Sequence, residues 1–194
     1  RIPGVRRPAL ATPFPTTAGR PCILLDIGAN ADVRPQDLFQ FAVMGSAYAE
    51  RVLGIDKPRV GLVSIGEEAR KGNQRVQEAW PMLENSELNF VGNLEGRDVP
   101  AGAADVAVVD GFTGNVMIKL AEGLVTLVDG ILREAASGDV LGMLGGALMR
   151  PSLRRARAKT DYRAFGGAVL LGVRGIVIIG HGRSDGQAVK TAIE

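Results

Sequence analysis

The chain has 194 residues, 46% of them apolar, 23% charged and a net charge of +2, which excludes a disordered chain and gives no charge-based reason to expect nucleic acid. Its apolar runs fall far below the roughly 18 residues of a membrane span, and one α/β domain with a full core fits the length. The sequence opens with no charged-then-apolar leader, an expectation against secretion. Its single cysteine, Cys22, has no internal partner, which fits a reducing cytosol.

In chain order, Arg1 to Gly19 is proline-rich and predicts no opening strand. Ile23 to Ile27 reads as a buried strand with Cys22 packed at its start, followed by a helix from Pro35 to Leu53 with proline in the first turn. A strand over Arg59 to Ile65 leads to a helix from Arg70 to Leu83. A short strand near Phe90 and one from Val106 to Val109 follow, then a helix from Asn115 to Glu134. Residues 138–160 form an apolar and basic excursion. Strands over Val169 to Leu171 and Gly175 to Ile179 and a helix from Gly186 complete the order. Alternating strands and helices imply parallel pairing through right-handed crossovers. The proline-rich opening and an end inside a helical pattern suggest a fragment.

Four Gly-rich turns follow apolar runs: Leu25-Asp26-Ile27-Gly28-Ala29-Asn30, Ile65-Gly66-Glu67-Glu68-Ala69-Arg70-Lys71-Gly72-Asn73, Asp110-Gly111-Phe112-Thr113-Gly114-Asn115 and Gly180-His181-Gly182-Arg183-Ser184-Asp185. In an open α/β sheet such loops converge on one crevice at the carboxyl ends of the strands. In the second turn, Glu67 and Glu68 read as the start of a helix with Lys71 and Asn73 in its first turn. Lysine between Gly66 and Gly72, beside free backbone N–H groups, makes an anion site; ordinary capping is the plainer alternative. Asn115 stands where an N-cap is expected, and Asp110 could orient a cation or act as a base. Asp26 and Asn30 repeat that logic with capping again the plain alternative. His181, the sole histidine, lies between glycines with a pKa suited to acid–base work. A dinucleotide fingerprint from Gly180, Gly182 and Gly186 is one residue too long. Neither zinc-ligand spacing nor a Gly-x-Ser-x-Gly elbow occurs.

In the excursion, Leu141, Leu144 and Leu148 fall on one helical face. Arg150, Arg154, Arg155, Arg157 and Lys159 follow with no acid between them, as a basic turn. An apolar helix ending in cations suits an anionic bilayer surface. A core or dimer-interface helix followed by a solvated basic loop fits equally.

The wording of the turns goes further. Arg7-Pro8-Ala9, Leu25 to Asn30, Gln40-Phe41-Ala42-Val43-Met44-Gly45, Gly61-Leu62-Val63-Ser64-Ile65-Gly66-Glu67-Glu68 and Lys71-Gly72 resemble, in order, the bacterial phosphate acyltransferase (PlsX) family. So do Phe90-Val91-Gly92-Asn93-Leu94-Glu95-Gly96-Arg97-Asp98, Asp110 to Val116, Asp161-Tyr162-x-x-Phe165-Gly166-Gly167-Ala168, and Gly180-His181-Gly182 with Ser184. The resemblance implies a three-layer α/β fold with a mostly parallel sheet, like phosphotransacetylase and the isocitrate/isopropylmalate dehydrogenases. It implies the central and C-terminal part of a longer enzyme, lacking the family's opening strand and Gly-rich turn. The implied reaction converts acyl-acyl carrier protein and inorganic phosphate to acyl phosphate, for phospholipid synthesis, without metal or other cofactor. A homodimer in the cytoplasm, associated peripherally with membrane, is implied too.

Under this resemblance Lys71 would bind phosphate or the oxyanion and Asn115 would donate to the thioester carbonyl or phosphate. Asp110 and His181 would orient groups and protonate the thiolate, while Asn30 and the Gly111 and Gly114 backbones would line the crevice. The excursion would meet an anionic membrane or the acidic carrier protein. A phosphotransacetylase using acyl-coenzyme A, or a catalytically incomplete carrier- or membrane-binding module, are the alternatives. An NAD-dependent dehydrogenase is the weakest rival.

Overall fold

The computed structural model describes residues 1–160 (backbone alone over 155–160), 167–180 and 186–193. Its elements are β1 (Ala9–Phe14), β2 (Cys22–Leu25), α1 (Pro35–Leu53), β3 (Arg59–Val63), α2 (Gln74–Glu84), β4 (Asn89–Leu94), α3 (Asp98–Ala101), β5 (Val106–Val108), α4 (Gly111–Ser137), α5 (Val140–Thr160), β6 (Ala168–Leu171), β7 (Ile178–Ile179) and α6 (Gly186–Ile193).

Seven strands form one sheet in the order β4-β3-β5-β2-β1-β6-β7. β4, β3, β5 and β2 pair in parallel. β1 is antiparallel to both β2 and β6, and β7 is antiparallel to β6. Only β1 and β7 therefore run against the rest, and the sheet is mostly parallel.

Strand β1 corrects the expectation of an opening without a strand. Its prolines masked the signal, and the topology shows why they are tolerated. The Leu10 N–H donates to Asp26 and the Leu10 carbonyl accepts from Ile27, so both face β2. By alternation the Pro13 nitrogen faces the β6 side, beyond the last β6 partner, Ala11↔Val169. No ladder bond is lost.

Both faces of the sheet's centre are covered. Ile23, Leu25, Val60, Leu62, Val106 and Val108 pack with Leu38, Phe41 and Ala42 of α1 and with Val76, Ala79 and Leu83 of α2. On the opposite face Cys22, Leu24, Ala107 and Val109 pack with Val99 of α3 and Met117 and Ile118 of α4. Strands buried on both sides read as continuous apolar runs, as these do.

Helix bounds follow local chemistry. α1 begins at Pro35, with the Asp37 carboxylate accepting from Arg34 N at 2.9 Å, and ends at Gly54 in the left-handed region (φ 67°). α2 begins later than the spacing predicts, at Gln74, because the Asn73 side chain accepts from Val76 N at 3.1 Å. Glu67, Glu68 and Lys71 thus lie in the preceding loop and do not start the helix.

α4 begins earlier than expected. Asp110, not Asn115, is its N-cap, accepting from Thr113 N at 2.9 Å and from the Thr113 hydroxyl at 3.0 Å. α5 continues through Pro151 to Thr160, so the basic stretch expected as a turn is helical. Strong helix formers, Arg and Ala above all, carry it past the proline.

Candidate functional site

The crevice lies where the sheet changes direction of winding. β3 leaves through α2 toward β4 at one edge, whereas β5 leaves through α4 toward β6 on the other side. At such a switch point the adjacent loops part and leave room outside the carboxyl ends of the strands. A cavity of about 140 Å³ occupies that place. Val33, Leu38, Leu62, Val76 and Val109 supply its apolar wall, and Ser64, Gly72, Asn73, Arg75, Asp110 and Thr113 its polar part.

The neighbouring β2 loop is built around Asp26, which is fully buried. Its Oδ1 accepts from Leu10 N at 3.0 Å, Gly28 N at 3.1 Å and Ala29 N at 3.0 Å. Its Oδ2 accepts from the Asn30 N–H and side-chain amide, each at 2.8 Å. Asp26 is therefore a loop organiser with its lone pairs committed. The Asn30 amide also donates to the Pro8 carbonyl at 2.8 Å, and its Oδ1 accepts from Arg7 at 3.4 Å. What Asn30 brings to the crevice is the course of the loop, not a free amide.

The amino end of α4 presses onto this loop through two glycines. Gly111 N donates to the Asn30 carbonyl at 2.8 Å. A Cβ on Gly111 would fall 2.7 Å from the Asn30 oxygen, and one on Gly114 would overlap the Asp26 carbonyl oxygen. Contact this close admits only glycine. The seating carries Asn115, one turn further on and exposed, over Gly28: a Cβ placed there would be 3.9 Å from Asn115 Cβ.

Lys71 lies beside the cavity and is not part of its lining. It is exposed, its stem packs over buried Gly66, and its backbone N–H donates to the Glu68 carbonyl at 2.9 Å. Its ammonium has no ion pair among the described residues, unlike Arg75, which pairs with Asp32 at 2.5 Å. Gly72, with φ of 103°, lines the cavity next to it, where a Cβ would strike Ser64 Oγ and Val76.

The structure thus brings Gly72 and Asp110 to one cavity, packs Asn30, Gly111, Gly114 and Asn115 around Asp26 and Gly28, and sets Lys71 and Gly66 on the loop between. His181, with Gly182 and Ser184, lies outside the described residues, as do Asp161 to Gly166. Among the described residues no group of three or more His, Cys, Asp and Glu side chains could hold a metal ion.

Sequence reasoning passed over Ser64. Its Oγ is buried and without a hydrogen-bond partner among the described residues. The only available signal was a hydroxyl ending a run of buried strand residues. Asn93 Oδ1, on neighbouring β4, also has no hydrogen-bond partner among the described residues, although Asn93 Nδ2 donates to the Glu68 carbonyl at 2.8 Å and so braces the Lys71 loop.

The apolar part of the excursion has no cover among the described residues. Leu141, Leu144 and Leu148 are 80%, 59% and 83% exposed, and α4 exposes Leu120, Leu124, Val128 and Ile131 beside them. Arg150 and Arg154 are exposed further along α5; the side chains of Arg155 and Arg157 lie outside the described residues. No helix among the described residues is long and apolar enough to cross a membrane.

A family model for fatty acid synthesis proteins matches residues 1–194. The chain is 50% identical over 195 residues to a phosphate acyltransferase of Nostoc punctiforme, covering all of this chain and 57% of that protein. It is 46% identical to the phosphate acyltransferase of Halothermothrix orenii, covering 100% of this chain and 58% of that one. For Elusimicrobium minutum the identity is 50%, covering 100% of this chain and 56% of the relative. The chain therefore spans less than three fifths of the length of these relatives. Among solved structures, a phosphotransacetylase from Streptococcus pyogenes superposes with a TM-score of 0.50 at 21% identity, over 64% of this chain and 44% of that one. That likeness is one of fold.

Proposed function

The chain belongs to the fatty acid synthesis protein (PlsX) family, and on that premise we propose that it carries the reacting centre of a phosphate acyltransferase. The substrates are an acyl-acyl carrier protein and inorganic phosphate, and the products acyl phosphate and free carrier protein. The observation that carries this reading is the convergence of the β2, β3 and β5 loops at the switch point, beside a lysine that has no ion pair among the described residues.

A phosphate oxygen attacks the thioester carbonyl carbon, the C–O bond forms, and the carbonyl electrons move onto oxygen. Collapse of that tetrahedral species breaks the C–S bond and sends the electron pair to sulfur, which takes a proton. Phosphate is itself the nucleophile, so the protein's task is positioning and charge stabilisation. Lys71 neutralises the phosphate or the developing oxyanion. Asn115, held over Gly28, donates from its amide to the same centre. Asp110 sets the start of α4 through Thr113 and so positions Asn115; His181 is the candidate proton donor to sulfur.

The test is phosphate-dependent acyl phosphate formation from palmitoyl-acyl carrier protein by the intact protein and its Lys71→Ala variant. Activity that falls at least a hundredfold in a folded variant supports the reading. An inactive parent defeats it, and activity with acetyl-coenzyme A alone favours a phosphotransacetylase.

The exposed apolar face of α4 and α5 favours a second role for this chain. We infer a peripheral, cytoplasmic contact of Leu141, Leu144 and Leu148 with an anionic bilayer, with Arg150, Arg154, Arg155 and Arg157 at the headgroups. Co-sedimentation with phosphatidylglycerol vesicles, weakened by Leu144→Glu and Leu148→Glu and absent with phosphatidylcholine, is expected. Unchanged binding in both variants overturns it, and dissociation of a homodimer by the same variants assigns the face to a second copy.

A further inference from the structure

The cavity between β3 and β5 has a chemistry of its own. Its volume is about 140 Å³ and it opens to solvent, so in size it admits a small organic guest. Its wall is aliphatic: Val33, Leu38, Leu62, Val76 and Val109. Phosphate does not fit this lining. Arg75, the one cation among the described lining residues, is already paired with Asp32 at 2.5 Å, and the Asp110 carboxylate in the same lining repels an anion.

An aliphatic chain fits the wall, and one polar atom states how it would be oriented. Ser64 is one of the residues lining the cavity, and its buried hydroxyl has no hydrogen-bond partner among the described residues. A buried donor left unpaired is costly, and the structure keeps one beside the apolar part of this space. A carbonyl oxygen entering with an alkyl chain would satisfy it. Gly72 keeps that approach open, since a Cβ there would lie 2.7 Å from Ser64 Oγ.

We propose that this cavity seats the acyl group, its carbonyl oxygen accepting from Ser64 Oγ and its first few methylenes lying among Val33, Leu38, Leu62 and Val76, while phosphate stays outside at Lys71. The assignment rests on the acyltransferase reading for its substrate and not for its geometry. It makes Ser64 a binding residue for the acyl carbonyl, and Val76 and Leu38 the residues that gauge chain bulk next to it.

The experiment titrates the intact protein, with Val and Leu methyls labelled for NMR, against hexanamide, an uncharged chain with one carbonyl acceptor, and separately against inorganic phosphate. Saturable shifts of the Val33, Leu38, Leu62 and Val76 methyls are expected with hexanamide and not with phosphate. Val76→Phe should weaken hexanamide at least tenfold, and Ser64→Ala, which changes no packing volume of note, at least threefold. Unmoved methyls at high hexanamide, the same shifts from phosphate alone, or an unaltered affinity in Ser64→Ala would overturn the proposal. Acyl phosphate formation measured on the same sample separates the two readings. Turnover without hexanamide binding removes the cavity assignment alone; binding without turnover keeps the acyl seat and removes the acyltransferase.

Discussion

Asp26 Oδ2 holds Asn30 twice, accepting from its backbone N–H and from its side-chain amide, each at 2.8 Å. The same asparagine passes the constraint on, since its carbonyl accepts Gly111 N at 2.8 Å. One buried carboxylate thereby sets the distance between the β2 loop and the start of α4.

Removing that carboxylate strands several donors at once. Asp26→Ala is expected to cost about 3 kcal/mol or more in urea unfolding, since each buried donor left unpaired costs about 1–3 kcal/mol. Asp26→Asn, which keeps the shape and one acceptor oxygen, should cost less. Equal midpoints for Asp26→Ala and the parent would show that water replaces the carboxylate.

Two glycines on α4 should respond with opposite signs to alanine. At Gly114 a Cβ would overlap the Asp26 carbonyl, so Gly114→Ala should destabilise by about 2 kcal/mol or more. At Gly123 no described residue outside its own turn of helix lies within 4 Å of an added Cβ, and Gly123→Ala should stabilise by about 0.5–1 kcal/mol through helix propensity. Thermal melts of the two variants decide it.

At the opposite end of the strands, Arg59 grips Asp105 through Nε at 3.1 Å and Nη2 at 3.1 Å, with Arg20 on the same carboxylate at 2.9 Å. Burial pushes the Asp105 carboxyl up, but the hydrogen bonds and charge of Arg59 outweigh it and hold the group below the usual carboxylate range. A lowered folded pKa gives stability that is present above the unfolded value of about 3.9 and is lost as pH falls through the folded one. Arg59→Met should cost about 2 kcal/mol at pH 7, the modest figure reflecting a partly exposed guanidinium. The gap from the parent should narrow below about pH 4, leaving the share that Arg59 owes to its bonds to the Gly102 and Ala103 carbonyls at 3.0 and 2.8 Å. A gap that does not narrow at all would assign the loss to those bonds and to packing.

Burial first, then the Asp105 charge, pushes the Cys22 thiol up to about 12. The folded protein should resist iodoacetamide at pH 8, labelling only at the rate of opening. Because the thiol's folded pKa is raised, its contribution is complete below the unfolded value of about 8.5 and is lost as pH rises from there. Rapid labelling of the native protein would contradict the buried position of β2.

The α1 bounds were legible in the sequence because their signals are local: Pro35 opens the helix and Gly54 closes it. The start of α4 was not, since Asp110 and Asn115 are both plausible caps and only the seating of Gly111 and Gly114 on the β2 loop chooses between them. β1 was hidden because proline is penalised in any strand, and only the end of β6 makes Pro13 harmless. The site divides in the same way. Lys71 could be proposed from its glycine flanks, whereas Ser64 carries no local mark.

The sequence by itself determined the alternation of elements, the family and the loops that carry polar groups, because periodicity, caps and turn residues act over a few positions. The tertiary structure alone decided which polar groups are already engaged. Asn30 is consumed by Asp26, Arg75 by Asp32, and Ser64 is left over. Whether a side chain is free for a ligand depends on partners tens of residues away, brought close by the sheet order, and no local pattern encodes that.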